Sequence, residues 1–333
     1  MACGDKMRYP FIFTFLKTLM TKNYRVLITG GAGYIGSILS EALLDAGYTV
    51  VVVDNLTFGE APLFHLCANP RFEFIFGDAR DERIMAPLVA QADVIIPLAA
   101  IVGAPACDRD PQLTTSLNFD AVRMLNRLRS KEQLVVYPTT NSGYGTKSGE
   151  VFCTEESKLE PISLYGRTKC DAEKTFLDSE NAITLRLATV FGMSPRMRLD
   201  LLVNHFVYAA VTDGYLVIFE KSFKRNFVHI RDIADCFLFC IENHEHMVGR
   251  PYNVGLDSAN LSKEELAVKV REFVPKFYVH FAEVGSDPDK RNYLVSNQRL
   301  REAGFEARRI LEVGIKELVK GYKMLGRGRH KNV

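Results

Sequence analysis

The stretch Thr29-Gly30-Gly31-Ala32-Gly33-Tyr34-Ile35-Gly36 decides how this chain folds. An apolar run of strand length, Arg25-Val26-Leu27-Ile28, precedes it, and residues 37–46 read as a helix with Gly47 past its end. The glycines therefore fall at a strand-to-helix turn. There Gly30 takes the tight turn, Gly33 lets the backbone approach a pyrophosphate, and Gly36 lets helix and strand pack closely, with the helix N-terminus facing the negative charge. The next apolar run, residues 48–53, ends in Asp54. That places an acid about 20 residues beyond the glycines, where a carboxylate accepts hydrogen bonds from a ribose 2′-hydroxyl. The same charge repels a 2′-phosphate, so the expected cofactor is NAD rather than NADP.

Working outward, strand-like runs at 72–76, 93–96, 133–137 and 183–187 alternate with helix-compatible stretches at 81–91 and 114–128. Strands alternating with helices give an α/β fold, a doubly wound parallel sheet of Rossmann type, with ligands at the carboxyl ends of its strands. After Gly192 the pattern becomes less regular, with a short strand at 215–219 and helices at 230–241, 262–273 and 311–325. This second half reads as a smaller, discontinuous α/β lobe that closes over a second ligand. The expected division is an extension at 1–23, a Rossmann domain at 24–192, a lobe at 193–325 that returns in part to the first domain, and a basic tail at 326–333. Within the extension, the apolar stretch 9–20 is too short to span a membrane, carries Lys17 and lacks a small-residue cleavage site. Met20 just ahead of Arg25 offers an alternative start.

Composition narrows the partners. With 333 residues and 47% hydrophobic content the chain can bury a large core, and 42 basic against 40 acidic side chains leave no net field for nucleic acid or membrane. Seven cysteines, scattered and without a C-x-x-C pair, argue against a disulfide framework or zinc site and for a reducing cytoplasm. Cys236 and Cys240, one helical turn apart in an apolar segment, read as core residues. No His, Asp and Glu grouping has metal-ligand spacing.

The chemistry lies in Tyr165-Gly166-Arg167-Thr168-Lys169 and in Thr140 ahead of it. Tyrosine, with a solution pKa near 10, is a poor base at neutral pH. A lysine one helical turn later lies on the same face, and its charge stabilises a phenolate. Tyr165 then takes a proton from a substrate hydroxyl while the adjacent carbon gives up a hydride; Thr140 hydrogen-bonds the same oxygen, and Lys169 reaches the nicotinamide ribose.

These segments, with Asp54-Asn55-Leu56, Gly77-Asp78, Leu98-Ala99-Ala100, residues 139–145, residues 225–232 and Tyr252-Asn253-Val254-Gly255, resemble the extended short-chain dehydrogenase/reductases of the nucleotide-sugar epimerase and dehydratase class from residue 24 to about 325. The resemblance implies that Asn55, Asp78 and Ala79 lie on the adenosine side, with Asp78 on the adenine. It places Leu98, Ala99 and Ala100 by the ribose, Tyr34 and Ile35 in the pyrophosphate turn, and Lys169 with Tyr165 at the nicotinamide. Residues 138–145, 188–200 and 287–293 are similar to a branch acting on nucleotide-linked heptoses in bacterial capsule pathways, as a GDP-heptose 4-dehydrogenase does.

Two departures from the wider class bear on the reaction. The dehydratases carry an aspartate and a glutamate after the catalytic threonine, where this chain has Asn141 and Ser142; neither serves as an unaided acid or base, so loss of water is disfavoured. Thr189 replaces the asparagine that common 4-epimerases place near the sugar diphosphate. By resemblance Asn204, Arg225 and Arg291 hold a nucleotide-diphosphate sugar, guanidinium groups suiting phosphate, while Arg196 and Arg198 lie in a loop that adds charge. Asn141, Thr189 and Thr140 complete the expected sugar contacts. The expected activity is NAD-dependent oxidation at carbon 4 of a nucleotide-activated sugar, as a 4-dehydrogenase or 4-epimerase. A dehydratase and a non-catalytic NAD sensor are the alternatives. The class also implies a homodimer through helices at 113–128 and 165–177, with Leu117, Ala121, Leu125, Leu128, Cys170, Phe176 and Leu177 as apolar contacts.

The Asp54 reading has a direct consequence. NAD should bind at least about tenfold tighter than NADP, a difference of roughly 1.4 kcal/mol. Calorimetry giving equal affinities would remove Asp54 from the cofactor site.

Overall fold

Four consecutive valines, Val50 to Val53, are all 1% exposed or less. A strand so apolar on both faces belongs inside a parallel sheet covered by helices on each side. The computed structural model, which describes residues 23–59, 62–147, 152–283 and 291–325, builds that sheet from seven strands. They are β1 (Arg25–Thr29), β2 (Thr49–Asp54), β3 (Phe72–Phe76), β4 (Val94–Pro97), β5 (Leu134–Thr140), β6 (Ala182–Leu187) and β7 (Arg250–Val254). All pairs are parallel and the spatial order is β7-β6-β5-β4-β1-β2-β3. The order reverses between β1 and β4, which opens a crevice at the carboxyl ends of these two strands. Leu27 sits opposite Val51 on one side and Ile95 on the other, so Thr29, Val53 and Pro97 end level at that crevice.

Alternation along β1 sorts the two cores. Leu27, Val51, Ile95 and Val135 face Val122, Leu125, Ala172 and Phe176, whereas Val26, Ile28, Val52 and Ile96 face Ile38, Leu39, Cys236 and Phe237. Cys236 and Cys240 are fully buried, as core residues should be.

The helix after the glycines spans Tyr34–Asp45 and starts three residues earlier than the expected 37–46. Gly33 is its N-cap, in extended conformation, so the helix begins directly at Tyr34 and its first amides carry no side-chain cap. The stretch expected as one helix at 114–128 is three pieces: Pro111–Thr115, a π-turn Ser116–Asp120 and Ala121–Leu128. Asn118 in the π-turn bonds both backbone groups of Ile101, at 2.8 Å each, a tertiary contact that competes with regular winding.

Beyond Gly192 the chain returns to the first domain twice. β7 pairs with β6, Tyr252 opposite Leu185, and the helix Ile230–Glu242 packs on the helix Tyr34–Asp45. The rest of the second half forms a three-stranded sheet in which Lys224–His229 and Asn260–Ser262 join the preceding Thr189–Phe191, a pair Tyr215–Ile218 with Tyr278–Phe281, and a pair Leu294–Val295 with Phe152–Cys153, with the helices Leu202–Thr212, Lys263–Phe273 and Leu311–Tyr322 packed together. Lys263–Phe273 is entered through a capping box in which Ser262 and Glu265 satisfy each other's backbone amides. No helix among the described residues is long and apolar enough to cross a membrane. The expected basic tail and all but the last residue of the N-terminal extension lie outside the described residues.

Three of the seven apolar positions expected at a dimer interface are used within the chain. Ala121, Leu125 and Phe176 are 6%, 1% and 0% exposed, the last two packed against their own sheet. Leu117, Leu128, Cys170 and Leu177 are half-buried and remain for an interface.

The glycine turn gives a stability prediction. A Cβ on Gly36 would lie 2.6 Å from Gly30 O, Gly31 Cα and Gly31 O, all backbone atoms with no rotamer to yield. Gly36→Ala should lower stability by about 1–3 kcal/mol, the usual cost of overpacking. Denaturant unfolding of the two proteins checks it, and an unchanged midpoint would contradict the packing argument.

Candidate active site

Gly30 adopts φ +73° and brings its backbone against β4: a Cβ there would lie 2.6 Å from Ala99 N and 2.9 Å from the Leu98 carbonyl carbon. Leu98 is tied to the end of β1 by its amide on Thr29 O at 2.9 Å. Gly33 differs, since the only atom a Cβ would meet is Gly30 O at 3.1 Å. Its outer side is open, beside uncapped helix amides, and this is the geometry a pyrophosphate needs. At the end of β2, Asp54 accepts from Ala32 N at 3.0 Å and from Leu56 N at 2.9 Å, one bond per oxygen. The glycine loop thus orients the carboxylate, and each oxygen keeps a lone pair for a ribose hydroxyl. These residues fit NAD.

The flanking positions are more varied. Asp78 is gripped by Arg80, whose Nε lies 3.0 and 3.1 Å from its two oxygens, and this hydrogen-bonded guanidinium holds the carboxyl below its usual range. Ala79 beside it is buried. Asn55 is exposed and accepts from Thr57 N at 3.2 Å, and Ala99 and Ala100 are half-buried along the crevice. The side chain of Tyr34 points away from it: the hydroxyl donates to Gly192 O at 2.8 Å and accepts from Asn204 Nδ2 at 3.1 Å, and burial drives the phenol pKa far up. Ile35 packs against the core. Only the backbone of this pair remains for the cofactor.

The residues expected to be catalytic come from two elements. Thr140 ends β5, donates to Ser142 Oγ at 2.9 Å and accepts from Ser142 N at 3.1 Å. Tyr165 and Lys169 ride the helix Leu164–Leu177, which Ser163 caps by accepting from Gly166 N at 3.1 Å. Thr140 lies near enough to Tyr165 for its hydroxyl to lower the phenol pKa. Burial raises the Tyr165 pKa, while the cations of Arg198 and Arg291 pull it back down, helped by Thr140. Lys169 is 5% exposed, with Nζ 4.0 Å from the centre of the Tyr137 ring. Its burial lowers the ammonium pKa to about 7, against the opposing charge of Glu173.

A match to the family model described as the NAD dependent epimerase/dehydratase family covers residues 26–255. The chain belongs to that family. It is 28% identical to the low-salt glycan biosynthesis protein Agl12 of Haloferax volcanii, over 89% of this chain and 98% of the relative. It is 31% identical to an uncharacterised UDP-glucose epimerase, YtcB, of Bacillus subtilis, over 73% and 78%. Among solved structures, the UDP-glucuronic acid 4-epimerase of Bacillus cereus in complex with UDP-glucuronic acid and NAD superposes with a TM-score of 0.80 at 25% identity, covering 90% of this chain and 99% of that one. The protein is thus an NAD-dependent enzyme of the epimerase/dehydratase family, and the seven-stranded Rossmann sheet is the expected fold.

Within this family member the substrate-side residues separate. Arg291 reaches the catalytic turn and donates to Ser142 Oγ, and Arg198, paired with Asp200, lends its charge to Tyr165. Sequence reading left Arg198 as a charged loop residue, and only the fold of residues 192–201 brings it to the phenol. Arg225 is 3% exposed, donates to Lys224 O at 2.9 Å and lies 5.6 Å from the Tyr293 ring. Thr189 opens a short strand opposite Phe227. Asn204, expected at the diphosphate, is instead committed inside the protein: its oxygen accepts from Gly192 N at 3.1 Å and its nitrogen donates to Tyr34 Oη at 3.1 Å and Arg198 O at 3.0 Å. It positions the Arg198 loop. His229 is equally committed, 2.8 Å from Glu317.

Sequence reading also missed Asn118. Besides holding Ile101, its amide lies 3.5 Å from the hydroxyl of Thr168, beside Lys169, so it links the Ala99–Ala100 side of the crevice to the catalytic helix. Asn118→Ala should cost about 1–3 kcal/mol, because two backbone groups of Ile101 lose their partner. It should also weaken NAD binding. Unfolding and calorimetry on the same protein test this, and unchanged values in both would show that the link is dispensable.

Proposed function

We propose that this enzyme oxidises carbon 4 of a nucleotide-diphosphate sugar, GDP-heptose being the leading candidate, as a 4-dehydrogenase or as the first half of a 4-epimerisation. The observation that carries the reading is the placing of Tyr165 and the buried Lys169 one turn apart on the helix Leu164–Leu177, with Thr140 at the end of β5 acting on the phenol and Asn141 and Ser142 in place of a second acid and base. Bound NAD supplies the hydride acceptor. Tyr165, as phenolate, takes the proton of the 4-hydroxyl, and Thr140 holds that oxygen while its own proton is shared with Ser142. Arg198 and Arg291 offset the cost of forming the phenolate in a half-buried site, and Lys169, one turn along the same helix, is assigned the same part.

The amide of Asn141 supports the sugar assignment. It is 1% exposed and neither its oxygen nor its nitrogen has a partner in the protein, an arrangement that a sugar hydroxyl would satisfy. Arg225 and Arg291 are proposed for the diphosphate, joined by Thr189 at the sugar edge. The heptose reading rests on the likeness of residues 138–145 and 188–200 to the heptose branch. A homodimer in the cytoplasm, paired through Leu117, Leu128, Cys170 and Leu177, completes the proposal; light scattering showing an active monomer would argue against that pairing.

Tyr165→Phe should keep its fold and its bound NAD yet lose turnover by about a hundredfold to ten-thousandfold. The assay incubates GDP-, UDP-, CDP- and dTDP-linked sugars with enzyme and follows product mass together with cofactor absorbance. A keto or epimerised product from one of them, absent with Tyr165→Phe, is the expected result. A product lighter by one water would instead establish a dehydratase.

A further inference from the structure

Two loops from distant parts of the chain meet beside the cofactor site, and each is bonded to the glycine turn. The first follows β2. Asp54 accepts from Ala32 N and Leu56 N, the chain turns through Leu56 at φ +50°, and Phe58 stands out from it with 60% of its surface exposed. The second loop is 192–198. Gly192 O accepts from Tyr34 Oη at 2.8 Å, and Ser194 Oγ donates to Tyr34 O at 2.8 Å and lies 2.9 Å from Ser37 Oγ, so this loop is moored on the first turn of the helix Tyr34–Asp45. Arg196 N donates to the same Ser194 oxygen at 3.3 Å.

The loops also touch each other. The guanidinium carbon of Arg196 lies 4.1 Å from the centre of the Phe58 ring. Arg196 is 5% exposed, so a ring that itself faces solvent covers a charge kept from water. Such a cation is attracted to the aromatic face, more strongly the less water reaches the pair. The contacts form a closed circuit: from the glycine turn to Asp54, along the chain to Phe58, across to Arg196, and back through Ser194 to the first helix turn. Both groups suited to NAD, the carboxylate for a ribose and the uncapped helix amides for a pyrophosphate, lie on this circuit.

We propose that Arg196 and Phe58 form a clasp that retains NAD, the cofactor entering and leaving when ring and guanidinium part. The inference rests on the assignment of NAD to the glycine turn and Asp54. It gives Arg196 a part on the cofactor side of the crevice, distinct from that of Arg198, which acts on the phenol. Its consequence is kinetic. An epimerisation has to keep the reduced cofactor until the hydride returns to the sugar, and slow release serves that need.

Stopped-flow fluorescence reads the release of NADH after the NADH-loaded protein is mixed with excess NAD. Phe58→Ala, at an exposed position, should speed release by about fivefold to thirtyfold, the strength of one desolvated cation–π contact, and Phe58→Tyr should keep it slow. Arg196→Met should speed release as much, and the double variant no more than either single one, because the two side chains act through one contact. Where Arg196→Met does not fold, the two Phe58 variants decide. Release from Phe58→Ala as slow as from the parent protein would overturn the proposal, and so would effects of the two substitutions that simply add. A parent protein that binds no NADH would remove the cofactor assignment and the clasp with it, whereas bound NADH released at an unchanged rate removes the clasp alone.

Discussion

A phenol removed from water does not ionise near neutral pH unless positive charge meets it, and the site is organised around that constraint. Burial raises Tyr165, and the structure answers with Arg198 and Arg291 from two separate segments, while Lys169 lies one turn along the helix of Tyr165. Each cation has to be held against the same desolvation. Arg198 is paired with Asp200, and Lys169 has the Tyr137 ring beneath it. A buried Arg186–Glu173 pair ties the helix of Tyr165 to β6. Such a pair adds little net stability, but losing one partner costs about 3–5 kcal/mol. Its value lies in fixing geometry.

Close backbone approach is the second constraint, and it places the crevice. Gly30 lies against Ala99, and Gly36 against Gly30 and Gly31, so β1, β4 and the helix Tyr34–Asp45 meet without intervening side chains. The first helix amides are left open on the side of Gly33, where cofactor charge would sit. Tyr34 then carries this rigid corner into the second half of the chain, through Gly192 and Asn204, to the loop that delivers Arg198. Cofactor turn and substrate loop are thus mechanically joined.

Much of this was legible in the sequence because local patterns specify it. The glycine spacing, the acid after β2, the alternating runs and the Tyr-Lys helical face each report their own local geometry, and the sheet order follows from right-handed strand-helix-strand connections. The misses share a physical cause. β7 carries Arg250 and Pro251, has no apolar alternation and is recruited by pairing with β6. The helix at 114–128 breaks because Asn118 satisfies a distant backbone, and Asn204 was read as a ligand because its partners, Gly192 and Tyr34, lie 12 and 170 residues away. Side chains with long-range polar commitments are the ones that sequence spacing misassigns.

The same distinction bears on which reaction follows oxidation. Asn141 and Ser142 occupy adjacent positions, yet their surroundings differ. Ser142 is saturated by Thr140 and Arg291, whereas the Asn141 amide is buried with both polar atoms unpaired. A hydroxyl that accepts from a guanidinium and a threonine has no base to deprotonate it, so it does not replace the missing carboxylate of a dehydratase. An orphaned amide, by contrast, can both donate and accept without titrating, which suits a group that recognises a sugar hydroxyl and leaves it intact. On the proposed reading, the chemistry at this turn is confined to the substrate oxygen that Thr140 holds and Tyr165 deprotonates.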